Sequence, residues 1–413
     1  MASSSTSADQ VGLSTTAIHH DAGAGLSGPE VAPFISTSTT FRHPSPESIA
    51  AAEPGYYDTN WSPATPSRDI YSRYTQPTLT RAEKVISALI GQPTLVLPSG
   101  IAAVYAVLLL VRPDVIAVTD GYHGCHGAFE VYRQSRGVEH VTVIRLEDEY
   151  PKDKKMLVWL ETPLNPTGES RSISAYSKKA KAVGATLAVD STFAPPPLQD
   201  PFKWGADIVM HSGTKYFGGH SDALIGTVSV KEKEDWLKLW HNRTYTGANI
   251  GSLDAWLLLR SLRTLTLRVT RQAETATALA QWLSSLSRAE AGTQVDGPGG
   301  VVEKVWHTSL QDGKEKLLGE GKQLEMGPAC FGLLLTKAEY ARDLPHQLKF
   351  FVPATSLGGV ESLIEQRRVS DPGADPRLIR LSIGLEDFQD LKNDLITGLN
   401  KVVQIEQGRT SKL

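Results

Sequence analysis

Cysteine is nearly absent from this chain of 413 residues, with Cys125 and Cys330 the only two. Two thiols build neither a disulfide framework nor a multi-thiolate metal site, so free thiols, no bound metal and a reducing cytoplasmic setting are expected. Charge of one sign is lacking too. Forty-two Lys and Arg stand against 45 Asp and Glu, a formal charge of -3, which leaves no basic footprint for nucleic acid. No apolar run is long enough to cross a bilayer, and the Ser/Ala/Thr-rich stretch 1–10 lacks a charged segment followed by an apolar one, so neither a membrane span nor a secretory signal is expected. Internal repeats are missing, and low complexity stops after the first few residues. What remains, 40% hydrophobic and 21% charged residues, is the composition of an ordinary globular enzyme. Its length exceeds the size at which a single core keeps growing, so more than one domain is expected.

The pattern divides in three. Residues 1–75 are rich in Ser, Thr, Pro and Gly without sustained periodicity and read as an extended arm that orders against a neighbouring subunit. Residues 76–265 alternate short apolar runs with helical stretches, the mark of an α/β domain with a mostly parallel sheet. Strands are expected at 94–97, 115–119, 141–146, 156–161, 186–190 and 208–211. Helices are expected from 78 to Gly91 and from Ser99 to Leu110, and a long helical pattern runs from Gly251 to Leu286. Residues 266–413 read as a smaller C-terminal α+β domain, with strands near 301–306 and 330–335 and a helix near 387–402.

Lys215 lies in His211-Ser212-Gly213-Thr214-Lys215-Tyr216, just past the apolar run 206–210. Small, hydroxylated neighbours at a strand exit suit an amine that forms a Schiff base with a phosphorylated aldehyde. Ser99-Gly100-Ile101 opens a helix after a strand, which suits either a phosphate at the helix start or an ordinary cap. Asp190 ends another apolar strand; it either keeps a pyridine nitrogen protonated or braces its loop. Tyr122 follows a strand end as a stacking ring or a rim residue, and Asn165 either bonds a ring hydroxyl or serves its turn. Arg380, inside the apolar strand Leu378-Ile379-Arg380-Leu381, calls for a carboxylate, from substrate or from the protein. Tyr71 and Arg73 lie on the arm, where solvated side chains are the default.

Together, Tyr71-Ser72-Arg73, Ser99-Gly100, Glu161-Thr162-Pro163-Leu164-Asn165-Pro166-Thr167, Val189-Asp190-Ser191-Thr192-Phe193-Ala194, Ser212-Gly213-Thr214-Lys215, Ser356-Leu357-Gly358-Gly359 and Arg380-Leu381-Ser382-Ile383-Gly384 resemble the cystathionine γ-synthase family of pyridoxal-phosphate (PLP) enzymes of cysteine and methionine metabolism. The resemblance spans roughly 71–390. It implies the aspartate-aminotransferase-like PLP fold type I and PLP bound covalently to Lys215, which then shuttles protons. Asp190 would hold the pyridine nitrogen and Tyr122 stack on the ring. Gly100, Ile101, Ser212 and Thr214, with Tyr71 and Arg73 of a neighbouring subunit, would hold the phosphate. Arg380, Ser356 and Asn165 would take the substrate α-carboxylate, and a homotetramer built of two active dimers is implied.

Departures from the family pattern bear on the substrate. Thr355 stands where cystathionine-forming relatives commonly carry Glu, which counts against cysteine as the nucleophile. Tyr74 and Gly127 stand where bacterial synthases using a succinyl-activated homoserine carry arginine, which favours an acetyl leaving group. Cys125-His126 and Asn249-Ile250-Gly251-Ser252 also depart, so His123, Cys125 and His126 either line a rebuilt nucleophile pocket or face solvent. The expected reaction is γ-replacement on an O-acyl-L-homoserine through a vinylglycine ketimine, with a carbon nucleophile or a thiol. The alternatives are cystathionine γ-synthase proper or a γ- or β-lyase.

Overall fold

The computed structural model describes residues 11–21, 30–43, 45, 47 and 69–410. Its centre is a seven-stranded sheet in the order β1-β7-β6-β5-β4-β2-β3. The strands are β1 (Thr94–Leu97), β2 (Val115–Ala117), β3 (Thr142–Ile144), β4 (Met156–Glu161), β5 (Thr186–Asp190), β6 (Ile208–His211) and β7 (Gly226–Val230). Parallel pairing joins β2 to β3, β4 to β2, β5 to β4 and β6 to β5, whereas β7 runs antiparallel to both β1 and β6. Every residue of β4 is buried, as expected of a sheet covered on both faces. One cover includes the helices Gly100–Val111 and His123–Arg136, which pack Val104, Leu108 and Phe129 on the sheet; the other includes Ile173–Lys181.

A second sheet of five strands follows, in the order β10-β11-β12-β9-β8. These are β8 (Val302–Trp306), β9 (Cys330–Leu335), β10 (Val352–Pro353), β11 (Leu363–Gln366) and β12 (Leu378–Ser382). The helices Leu265–Leu286 and Phe388–Thr410 pack on it, and one apolar core runs from this layer to the helix Pro77–Ile90. Pro77–Ile90 has Pro at its first position, Gln76 accepting from the Thr78 amide, and Gly91 at φ 75° ending it, a left-handed cap that glycine adopts without strain.

Several expectations need correction. The stretch Gly251–Leu286 is two helices, Ser252–Leu262 and Leu265–Leu286. Between them the Arg263 and Thr264 amides turn back to the Arg260 and Ser261 carbonyls, which tightens the chain into a corner. β2 stops at Ala117, since the chain beyond bends into the turn at Asp120 (φ 58°), and β3 covers only 142–144. The helix Lys233–Thr246 and the strands β7, β10 and β11 were not anticipated. Part of the 1–75 arm, at 1–10, 22–29, 44, 46 and 48–68, lies outside the described residues. The part at 13–21 is not extended: Leu13–His19 is a helix, and buried Asp21 accepts from Arg81 at 2.8 Å and Arg263 at 2.8 Å of its own chain. Among the described residues no helix is long and apolar enough to cross a membrane.

Candidate active site

The carboxyl ends of the parallel strands meet the second sheet around a cavity of about 410 Å³, within the range of small-molecule sites and placed where open α/β sheets bind ligands. Lys215, Asp190, Tyr122, Gly100, Ile101, Ser212, Thr214, Asn165, Thr355, Ser356 and Arg380 all line it.

One corner is built for an anion. Ser99 caps the helix Gly100–Val111 by accepting from the Ala102 amide at 3.0 Å, and the amides of a helix's first turn have no partner within the helix. A Cβ on Gly100 would lie 2.8 Å from Ser212 Oγ, so only glycine lets the helix start and the Ser212 loop come this close. The two loop hydroxyls differ. Thr214 Oγ1 accepts from the Ile225 amide at 2.8 Å and donates to the Ile225 carbonyl at 3.1 Å, whereas among the described residues Ser212 Oγ meets no partner.

Asp190 and Glu161 end adjacent strands in register. Asp190 Oδ1 accepts from the Thr192 amide at 3.0 Å and its hydroxyl at 2.6 Å, leaving Oδ2 for the cavity. Glu161 accepts from the Tyr122 amide and the Asn165 amide, each at 2.8 Å, and so positions both of those residues. Burial raises the pKa of both carboxyls, and for Glu161 the neighbouring Asp190 charge adds to it. Among the described residues neither carboxyl forms an ion pair, the Arg171 charge only partly offsetting the rise at Glu161, and a protonated pyridine nitrogen would give Asp190 a positive partner. Glu161 was quoted in a motif without a role; only the pairing of β4 with β5 reveals it.

Lys215 Nζ donates to Ser356 Oγ at 2.8 Å. Burial, and after it the Arg380 charge, lowers its pKa to about 8, which makes the neutral, nucleophilic amine accessible near neutrality. Arg380, buried in β12, donates to Asn165 Oδ1 at 3.1 Å, to the Ser356 carbonyl at 2.9 Å and to Glu365 Oε2 at 2.9 Å. Ser356 itself sits at φ 87°.

The remaining residues separate. His123 and Cys125 line the cavity, Cys125 fully buried. His126 does not; it is exposed and bonds the Asp120 carbonyl at 2.8 Å. Gly127 and Tyr74 lie outside it as well, Tyr74 stacking on Trp240 at 6.2 Å. Tyr71 and Arg73 do not reach the Lys215 cavity of their own chain. With Thr37–Thr39 and Asn249–Ser252 they line a separate one of about 320 Å³.

A half-buried lysine with a lowered pKa, a strand-end aspartate and a helix start open to an anion, on this sheet order, define a pyridoxal-phosphate enzyme of fold type I. The chain belongs to the family described as Cys/Met metabolism PLP-dependent enzyme, matched over residues 14–400. It is 32% identical over 412 residues to cystathionine gamma-lyase of Saccharomyces cerevisiae, covering 94% of this chain and 97% of the yeast protein. It is 33% identical over 349 residues to cystathionine beta-lyase of Lactococcus lactis, covering 80% and 88%. Among solved structures, cystathionine gamma synthase of Xanthomonas oryzae in complex with aminoacrylate and cysteine superposes with a TM-score of 0.78 at 28% identity, covering 96% of this chain and 99% of that one. Apo CalE6, a methionine gamma lyase of Micromonospora echinospora, does so with a TM-score of 0.76 at 30% identity, covering 94% and 99%. The chain is thus a PLP-dependent enzyme of the family that carries out elimination or substitution at the β- and γ-carbons of sulfur amino acids and their kin.

Proposed function

We propose that this enzyme performs γ-replacement on an O-acyl-L-homoserine, with O-acetyl-L-homoserine as the substrate, and joins Cγ to a carbon nucleophile such as a β-keto acid, or to a thiol. One observation carries the reading. Thr355 lines the cavity, and of the cavity's carboxylates Glu161 holds two backbone amides, while Asp190 holds Thr192 on one oxygen and keeps the other for the pyridine nitrogen. Among the described residues no open acid awaits the ammonium group of an incoming cysteine, while Phe193, Leu224 and Leu357 give the wall an apolar stretch.

PLP, when bound, supplies an electron sink for carbanions next to the amino acid's nitrogen. Its phosphate would rest on the Gly100 and Ile101 amides and the Ser212 and Thr214 hydroxyls, its pyridine nitrogen on Asp190, its ring against Tyr122, and its aldehyde carbon on Lys215. Arg380 and Asn165, braced by Ser356, orient the substrate α-carboxylate. Lys215, with its amine near the reacting carbons, takes the protons from Cα and Cβ. The Cγ–O bond then breaks and acetate departs with the electron pair. The nucleophile loses a proton, bonds to Cγ, and Lys215 returns protons to Cβ and Cα. Tyr71 and Arg73, outside their own chain's cavity, serve the phosphate site of a neighbouring copy in a homotetramer of active dimers, in the cytoplasm.

A second reading has support of its own: the yeast, Lactococcus and Fusobacterium relatives are named as lyases. The experiment is to incubate purified holoenzyme with O-acetylhomoserine alone, with acetoacetate and with cysteine, and to identify products by mass spectrometry. A C–C adduct with acetoacetate is expected. Turnover with cysteine alone refutes the carbon version, and keto acid released without any nucleophile favours the lyase.

A further inference from the structure

Arg367 is a second guanidinium in the cavity wall, beyond the one assigned to the α-carboxylate. It starts the short 3₁₀ turn Arg367–Val369 that follows β11, is only 5% exposed, and lines the Lys215 cavity. Its neighbour Arg368 is exposed. Burying an arginine is costly unless its donors are met, and among the described residues the Arg367 side chain makes a single hydrogen bond, from Nη1 to Glu365 Oε2 at 2.6 Å. That oxygen is shared, since Arg380 reaches it too. One carboxylate therefore serves two buried guanidiniums, and the planar fork of Arg367 keeps further N–H groups for the cavity. At the end of the same turn Ser370 also lines the cavity, and its buried Oγ has no partner. A guanidinium whose single carboxylate partner is shared, and a hydroxyl without a partner, at the two ends of one turn in the wall of a largely apolar cleft, form a receptor for a carboxylate.

We propose that Arg367 and Ser370 form a subsite for a carboxylate on the incoming nucleophile, so that the enzyme selects a β-keto acid, or a thiol bearing a carboxylate, over neutral nucleophiles of the same reactivity. The inference rests on the γ-replacement reading and narrows it to nucleophiles with an acid group. The carboxylate is a handle only: the new bond forms between the nucleophilic atom and Cγ, acetate leaves, and the handle neither gains nor loses electrons. Selection arises because the guanidinium, already desolvated and holding only a shared carboxylate, gains a second charged partner in a site shielded from water.

The test uses holoenzyme with O-acetylhomoserine and two matched pairs, acetoacetate against methyl acetoacetate and 3-mercaptopropionate against ethanethiol. The readout is the ratio of kcat/KM for the acid to that for its neutral partner. The wild type is expected to favour the acid. Arg367→Gln should lower the ratio about tenfold or more, Arg367→Lys should restore part of it, and Ser370→Ala should lower it about threefold, in line with charged and neutral hydrogen bonds respectively. Ser370→Ala removes only an unpartnered hydroxyl, so the test survives if Arg367→Gln fails to fold. A ratio unchanged within twofold in the variants, with acetate released normally by the wild type, overturns the subsite alone. No acetate release by the wild type with any nucleophile overturns the γ-replacement reading and the subsite with it.

Discussion

Ser356 carries two burdens that substitution can separate. Its hydroxyl accepts from Lys215 Nζ at 2.8 Å, and its backbone sits at φ 87°, where any side chain costs about 1–2 kcal/mol relative to glycine. Ser356→Ala deletes the acceptor and keeps the strain. Ser356→Gly deletes the acceptor and relieves the strain, but returns about 0.5–1 kcal/mol of chain entropy to the unfolded state. Folded stability of the glycine variant should therefore stay within about 1.5 kcal/mol of the parent. The chemical loss should be common to both variants. Reconstitution of apoenzyme with PLP, followed by the visible absorbance of the imine, reads it without any assumption about substrate. At about pH 9.5, where the amine is neutral in every variant, only orientation differs. Losing one neutral hydrogen bond of about 0.5–1.5 kcal/mol should then slow loading roughly 2- to 12-fold. Nearer pH 7 the deficit should shrink, because removing an acceptor from the charged amine lowers its pKa further and raises the neutral fraction. Loading by both variants at the parent rate at high pH would refute the assignment of Ser356 as the residue that aims Lys215.

Other outcomes follow from the same geometry. The loading rate of the unmodified apoenzyme should rise with pH and level off above about 8, since burial lowers the Lys215 pKa to about 8 and only the neutral amine attacks; a Lys215→Ala apoenzyme should give no imine band at any pH. Gly100→Ala places a Cβ 2.8 Å from Ser212 Oγ, and an overpacking cost of about 1–3 kcal/mol should weaken PLP affinity about 5- to 150-fold in equilibrium titration. Asp21→Ala removes the carboxylate shared by buried Arg81 and half-buried Arg263 and should cost about 1.5–3 kcal/mol in denaturant unfolding, the range of a charged hydrogen bond. Burial alone would raise the Asp21 pKa, but hydrogen bonds from Arg81 and Arg263 outweigh it and hold the group below its ordinary 3.8. The stability it contributes is thus fully present above about pH 4 and is lost as pH falls through the lowered value, so wild type and variant should converge in acid.

What could be read from the sequence and what could not divide along physical lines. Met156–Glu161, Thr186–Asp190 and Ile208–His211 were legible to the residue, because a strand buried on both faces writes its own continuous apolar run. Lys215, Asp190 and Arg380 were legible because a charged group at or within such a run is expensive and so marks a site. β7 was not, since its start at Gly226 reads as the tail of a glycine-rich loop; the glycine is there because the Ser99 carbonyl, just past the end of the paired strand β1, packs against it. Glu161 gained its role only through the register that sets it beside Asp190. The helix at 13–19 was hidden for a similar reason: its anchor, Asp21, is defined by Arg81 and Arg263, 60 and 242 residues away.

The sharpest case is Arg367-Arg368. Two identical, adjacent side chains have opposite fates, one buried against the cavity and one in solvent, and nothing in their own composition separates them. The difference comes from Glu365, which β11 pairs with Arg380 on the neighbouring strand and which draws in Arg367, the first residue past the strand's end, through an ion pair. Site chemistry that rests on a single expensive residue is thus visible in the chain, whereas specificity that rests on which of two like residues is pulled inward is visible only once the second sheet has formed. The proposed subsite would thus put the choice of nucleophile on the second sheet, away from Lys215 and Asp190 on the first, so substitutions at 367–370 should change partner preference more than cofactor binding.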